Sequence, residues 1–387
     1  MFTANARSSE IPQDVVVRAA DAFERKVLGS HPLYRKSVLE SALPLAAKHK
    51  PFMHAWIAAI LLQMPDDENK PRWRSESMVH YTHAIHGLKV SIMADGLKVD
   101  YEWKRGTSLL CHAIEMQQKD PCSQLARTHI IGAHQMFQVL LGEPNLPASE
   151  HDALLFEAYL MRTALNVLSQ QDIHKQLPFN YVQELECMHQ RALVRLFLEF
   201  KPQDCPWLPG PGPELFDLMY KASWLTVQSP LSSEYYDKAL SLWHWSCEVV
   251  DAETQRDAET NPNLYASGRC VLQSACQALL RLLVRDVDIG NTALGLDTIT
   301  TVGLRHLDNL TQVTCPHSGL RWPLLVLGAL STTSDQQQLC LTIAARYRAA
   351  AAALVNDNLF LFWTQAWDVD DVTGRFNDCE LLRCILL

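Results

Sequence analysis

The sequence predicts an all-α fold, a large multi-helix body in two packed helical halves. Three observations carry that expectation. Apolar residues recur at helical spacing along most of the 387 residues. The stretches are separated by turn signals such as His31-Pro32, Asp95-Gly96 and Asn145–Pro147. No alternating β-branched run is bounded by a hairpin turn. With 48% hydrophobic residues the chain has material for a large core.

In chain order, residues 1–12 read as a loose tail and residues 13–387 as the helical domain. The stretch 13–29 places Val15, Val16, Val17, Ala20, Phe23 and Val27 at roughly helical period, and 33–49 follows after His31-Pro32. Pro51 opens the apolar run PFMHAWIAAILLQM, which PDDENKP ends. Further helices are expected over 75–95, 104–119, 122–142, 150–169 and 178–200. The segment 201–213, KPQDCPWLPGPGP, is too rich in Pro and Gly for a regular element, so it is the expected break between the halves. Helical spacing resumes at 214–227, 233–250, 262–286, 291–308, 322–331, 335–355 and 358–367, with a polar loop at 251–263.

One stretch organises the C-terminal half. CPHSGLRWPLLVLG, residues 315–328, runs from a loop punctuated by Pro316 and Gly319 into an apolar helix. Pro323 fits a first helical turn, where its missing N–H is no loss. Leu324, Leu325, Val326 and Leu327 leave no polar face, so this turn should be buried all round, with Trp322 anchoring the entry.

Composition excludes several classes. A net charge of −9 and no run of five Lys or Arg argue against a free-standing nucleic-acid binder, so no direct nucleic-acid contact is expected. No apolar stretch reaches 18 residues free of charge or turn signals, so no membrane span is expected. The N-terminus MFTANARSSEIPQD has no apolar signal core. The 11 cysteines are odd in number and never spaced CxxC, which fits reduced thiols in the nucleus or cytoplasm.

Several groups carry possible chemistry. His80, His83 and His86 recur on one side of a helix, at a spacing that suits a metal, though no nearby carboxylate or thiolate completes a ligand set. Core packing or surface is the plainer expectation. Asp66, Asp67 and Glu68 follow a strongly apolar helix, and Asp368, Asp370 and Asp371 follow another, ahead of Asn377, Asp378 and Glu380. Carboxylates at a helix end beside an apolar cavity are what a Mg²⁺–diphosphate site needs. Two acidic groups at opposite ends of a helical bundle resemble in outline the class I terpene cyclases, a resemblance that implies Asp66, Asp67, Asp370 and Asp371 as ligands. Pro65 and Pro71 bracket the first group, which favours a solvated turn instead. His112 and Glu115 lie one turn apart, as an acid/base pair or, more commonly, as a buried contact that fixes helix register. GxSxG, P-loop, GxGxxG and HExxH motifs are missing, so no catalytic or organic-cofactor residue is assigned. Trp207, Trp224, Trp243, Trp245, Trp363 and Trp367 suit core packing first and an apolar ligand pocket second.

Three stretches, taken in order, resemble the fungal-specific transcription factor domain, the helical regulatory region that follows a zinc binuclear cluster in many fungal regulators. The first is HPLYRKSVLESALPLAAKHKPFMHAWIAAIL, with its core at Met53, His54 and Ala55. The second is ARTHIIGAHQMF, carrying His129, Gly132 and Ala133, and the third is Trp322-Pro323. The resemblance spans about residues 30–370 and implies an all-helical domain used for dimerisation, effector sensing or partner binding. Family members usually carry a six-cysteine zinc cluster upstream, whereas here the first cysteine is Cys111. The expectation is a regulator without a DNA-reading head, working through protein partners, a homodimer or a hydrophobic small molecule. The alternative turns the same scaffold to Mg²⁺-dependent cyclisation of farnesyl diphosphate, as in non-classical fungal humulene synthases. The Asn-Asp-x-x-Ser-x-x-x-Glu motif of class I terpene cyclases is not reproduced.

Overall fold

Helices make up the described chain, and no strand occurs among the described residues. The computed structural model describes residues 44–62, 70–97, 101–116, 124–141, 150–169, 177–181, 213–248, 264–284, 295–313, 320–350, 357–368 and 376. The helices are α1 (Lys50–Leu62), α2 (Lys70–Asp95), α3 (Tyr101–Met116), α4 (Gln124–Leu141), α5 (Glu150–Ser169) and α6 (Pro213–Thr226). They continue as α7 (Ser233–Glu248), α8 (Leu264–Leu283), α9 (Leu296–Val313), α10 (Arg321–Ala329), α11 (Ser334–Ala350) and α12 (Asp357–Trp367). The stretches 13–29 and 201–212 lie outside the described residues.

Apolar periodicity placed most of these elements within a few residues. The exceptions have local causes. α2 begins at Lys70 rather than at 75, because Pro71 sits in its first turn, where a proline loses no hydrogen bond. Residues 177–181 form a turn rather than the start of a helix, closed by the Tyr181 amide donating to the Pro178 carbonyl at 2.9 Å.

The packing has a main core and a smaller N-terminal layer. The main core joins Leu109 of α3 and Phe137 of α4 to α5, α6 and every later helix through to Phe376. Its residues therefore come from both sides of the Pro/Gly-rich segment. The N-terminal layer consists of α1 laid on α2 and α3. There Phe52, Trp56 and Ile60 pack with Leu88 and Trp103, while Ala55, Ala58 and Ala59 pack with Tyr81, Ala84 and Cys111. Two glycines allow this close approach. A Cβ on Gly87 would stand 2.5 Å from Pro51 Cγ, and one on Gly106 would stand 2.5 Å from a Phe52 ring carbon.

α10 is the hub of the C-terminal half, in contact with α8, α9, α11 and α12. Trp322 through Ala329 are all buried, as the unbroken apolar run predicts. The Trp322 indole N–H donates to Ser223 Oγ on α6 at 3.2 Å. The Trp367 N–H reaches back from α12 to the Gly328 carbonyl at 2.9 Å. The turn into α11 is closed by Gln336. Its Oε1 accepts the Thr332 amide at 2.9 Å, and its Nε2 donates to the Asp297 carbonyl and to Thr301 Oγ1 on α9, each at 2.9 Å.

Candidate functional site

A group of buried polar side chains lies where α2, α3 and α4 meet. Tyr81 comes from α2, Glu115 and Cys111 from α3, and His129 from α4. Tyr81, Cys111 and Glu115 are buried, among Ala55, Ala58, Ala59, Ala84 and Ile114. The Tyr81 hydroxyl donates its proton to a Glu115 carboxylate oxygen. The same hydroxyl oxygen lies 3.0 Å from His129 Nε2. A phenol has one proton, already committed to Glu115, so the His129 Nε2–H is the donor in that second bond. Ser108 of α3 adds a bond to the His129 carbonyl at 2.8 Å. Each helix is thus tied to the next by a buried, directional contact.

The electrostatics favour neutral partners. Burial pushes the Tyr81 phenol far above its ordinary value, and the bond and charge of Glu115 add to the shift. Burial also raises the Cys111 thiol, again with Glu115 adding to it. His129 is lowered by burial, which outweighs the opposing pull of Glu115. A thiol held in its protonated form is a poor nucleophile, so Cys111 acts here as a small apolar filler. We expect Tyr81→Phe to cost about 2 kcal/mol of folding stability, because it leaves the Glu115 and His129 groups without this buried partner. Urea unfolding of the purified variant measures it; an unchanged midpoint would show that the network contributes nothing.

His112 and Glu115 sit one turn apart on α3 but serve different neighbours. His112 Nε2 meets Asn166 Nδ2 of α5 at 3.0 Å, whereas Glu115 holds Tyr81 of α2. These are register contacts between helices, the commoner of the two expectations for the pair.

The histidine run on α2 behaves differently from its spacing. His80 and His83 lie beside His54 of α1, with ring centroids 5.0 Å and 5.1 Å from it, and His83, like His86 one turn beyond, is exposed. Among the described residues no three His, Cys, Asp or Glu side chains are placed to hold a metal ion. His54 could not be found from the run itself, because its partnership with α2 arises only when the two helices pack.

A second polar group lies deeper. His134 of α4 stacks on Tyr181 with centroids 4.0 Å apart, and its Nδ1 has no hydrogen-bond partner among the described residues. The Tyr181 hydroxyl meets that of Tyr159, and Tyr220 donates to the Pro178 carbonyl at 2.9 Å. Burial lowers the His134 imidazole to about 4. Sequence spacing gave no sign of this group, since its members are contributed by α4, α5, α6 and the 177–181 turn.

Asp66, Asp67, Asp370 and Asp371 all lie outside the described residues. Of the tryptophans singled out, Trp224 donates to the Leu177 carbonyl at 3.0 Å, and Trp243 and Trp363 belong to the core, as packing predicts. Trp363 stacks on Trp367 with centroids 6.0 Å apart. No described helix is long and apolar enough to cross a membrane. No family model, curated protein or solved structure matches the chain.

Proposed function

We propose that this chain is a regulator of the fungal transcription-factor type, acting through protein partners or a hydrophobic effector. The supporting observation is where the residues of the three resembling stretches stand. Ala55 on α1 and Ala133 on α4 are wholly buried at helix–helix seams. Trp322 fills the entry to α10 with no exposure. Ala55, Ala133 and Trp322, three of the residues that carry the resemblance, thus stand in tightly packed seams, which is what a shared helical body demands. The buried titratable groups Tyr81, Cys111 and His129 are held neutral and bonded between helices, a structural use of polar chemistry.

The alternative reading, Mg²⁺-dependent cyclisation of farnesyl diphosphate, rests on Asp66, Asp67, Asp370 and Asp371. Deleting the gene separates the two. The regulator reading expects transcripts of a neighbouring secondary-metabolite gene set to fall. Unchanged transcripts with a lost metabolite would overturn it. Purified protein incubated with farnesyl diphosphate and Mg²⁺ should release no hydrocarbon; a cyclised product would establish the alternative.

A further inference from the structure

His54 on α1 and His80 and His83 on α2 bring three imidazoles together at the seam between the two helices. The closest approach is between His54 Nδ1 and His80 Nδ1, at 2.7 Å. A hydrogen bond between two ring nitrogens needs one N–H and one lone pair. It can form when both rings are neutral, or when one of them is charged. When both are imidazolium, two N–H groups face each other at that distance and the bond becomes a repulsion. His83, exposed on α2 with its ring centroid 5.1 Å from that of His54, is the third ring of the group.

We infer that the α1–α2 seam is a proton-operated latch, closed while His54 and His80 share one ring proton or are neutral, and opened when both rings are protonated. The surrounding charges act in opposite senses. Lys50 stands one turn before His54 on α1 and opposes a further positive charge. Glu76 stands one turn before His80 and favours it, but its carboxylate already accepts the Arg72 Nε–H at 3.0 Å. His86 and Lys89 are exposed farther along α2. From α3, which packs on both helices, Glu115 and Cys111 act on Tyr81, and Lys104 is bonded to the Gly96 carbonyl at 2.7 Å. Ahead of α1, His49 stacks on Trp103.

Burial is the largest influence on both rings. It lowers His54, with His83 and Lys50 adding to the shift. It lowers His80 to about 4, with His54 and His83 adding and Glu76 opposing. A histidine lowered on folding contributes stability that is present above its ordinary value near 6.5 and lost as pH falls through its folded value. The window for opening therefore lies below about pH 6.5 and deepens toward pH 4. Because the rings are in contact, the titration steps belong to the cluster rather than to one residue. Opening uncovers Ala55, Ala58 and Ala59 on α1 and frees the Ser77 hydroxyl from the Ala58 carbonyl, where it bonds at 2.8 Å.

Hydrogen exchange of the full chain at pH 7 and pH 4.5, normalised to intrinsic exchange rates, tests the latch. Protection over 50–62 and 70–95 should fall by at least about tenfold at the lower pH, with 264–283 and 296–313 retaining theirs. His80→Gln keeps a neutral hydrogen-bonding group beside His54 and removes one of the protons, so most of that loss should vanish. Equal protection at both pH values, a loss spread evenly over all helices, or an undiminished loss in His80→Gln overturns the proposal. Should the variant fold poorly, an NMR titration of the wild-type histidine rings decides. Stepwise, coupled titration of His54 and His80 with the last step below pH 5 supports the latch; independent titrations near 6.5 refute it.

Discussion

Gly328→Ala is expected to destabilise the fold by about 3 kcal/mol, the upper end of what overpacking a core costs. The added methyl would stand 2.2 Å from Trp363 Cε2 and 2.4 Å from both Cζ2 and Nε1. Those atoms are rigid ring members, so no flexible chain end can move aside. Trp363 has no exposure and is stacked on Trp367, which closes the obvious direction of retreat. Moving it would also disturb the Trp367 N–H bond to the Gly328 carbonyl. Gly328 thus stands where it does because α10 and α12 approach closely at that point. Denaturant unfolding of the variant measures the effect. A midpoint equal to that of the parent would mean that α12 does not rest on α10 as described.

Trp322→Ala should cost about 4 kcal/mol, the range seen when a buried aromatic is truncated in a core. Trp322 is wholly buried and bridges α10 to α6 through the Ser223 hydroxyl. Truncation removes a large apolar surface, leaves a cavity, and strips Ser223 of a donor. Trp322→Phe should recover most of the packing and lose only the indole bond, so its cost should be about 1–2 kcal/mol. If the two variants were equally destabilised, the hydrogen bond rather than the volume would be the dominant contribution.

The two substitutions also show what could be read in advance. Around α10 the sequence was legible, because an unbroken run from Trp322 to Leu327 admits only burial on all sides. The extents of α5 and α6 were also readable, since apolar spacing over 150–169 and 214–227 predicts the helices found at Glu150–Ser169 and Pro213–Thr226. Gly328 was not legible: its meaning comes from Trp363, more than thirty residues away, and a glycine in a helix has several possible causes.

The same distinction divides the polar groups. His80, His83 and His86 are visible as a local pattern, yet helix packing recruits His54 and leaves His86 outside. His112 and Glu115 are visible as neighbours on α3, but their partners, Asn166 and Tyr81, lie on different helices. The Tyr81–Glu115–His129 network spans three elements with no fixed spacing, so no local motif could announce it. Periodicity reports which face of a helix is apolar; it does not report which neighbour that face will meet.

On the proposed reading, this helical body regulates through partners or an effector rather than carrying out chemistry at its acidic segments. The most direct measurement compares the gene deletion with a strain in which Asp66, Asp67, Asp370 and Asp371 are all changed to Ala. Transcripts and metabolite are both followed. The regulator account predicts that deletion lowers the transcripts, while the aspartate variant keeps transcripts and metabolite at parental levels. A variant that keeps its transcripts but makes no metabolite, with the protein still folded, contradicts it.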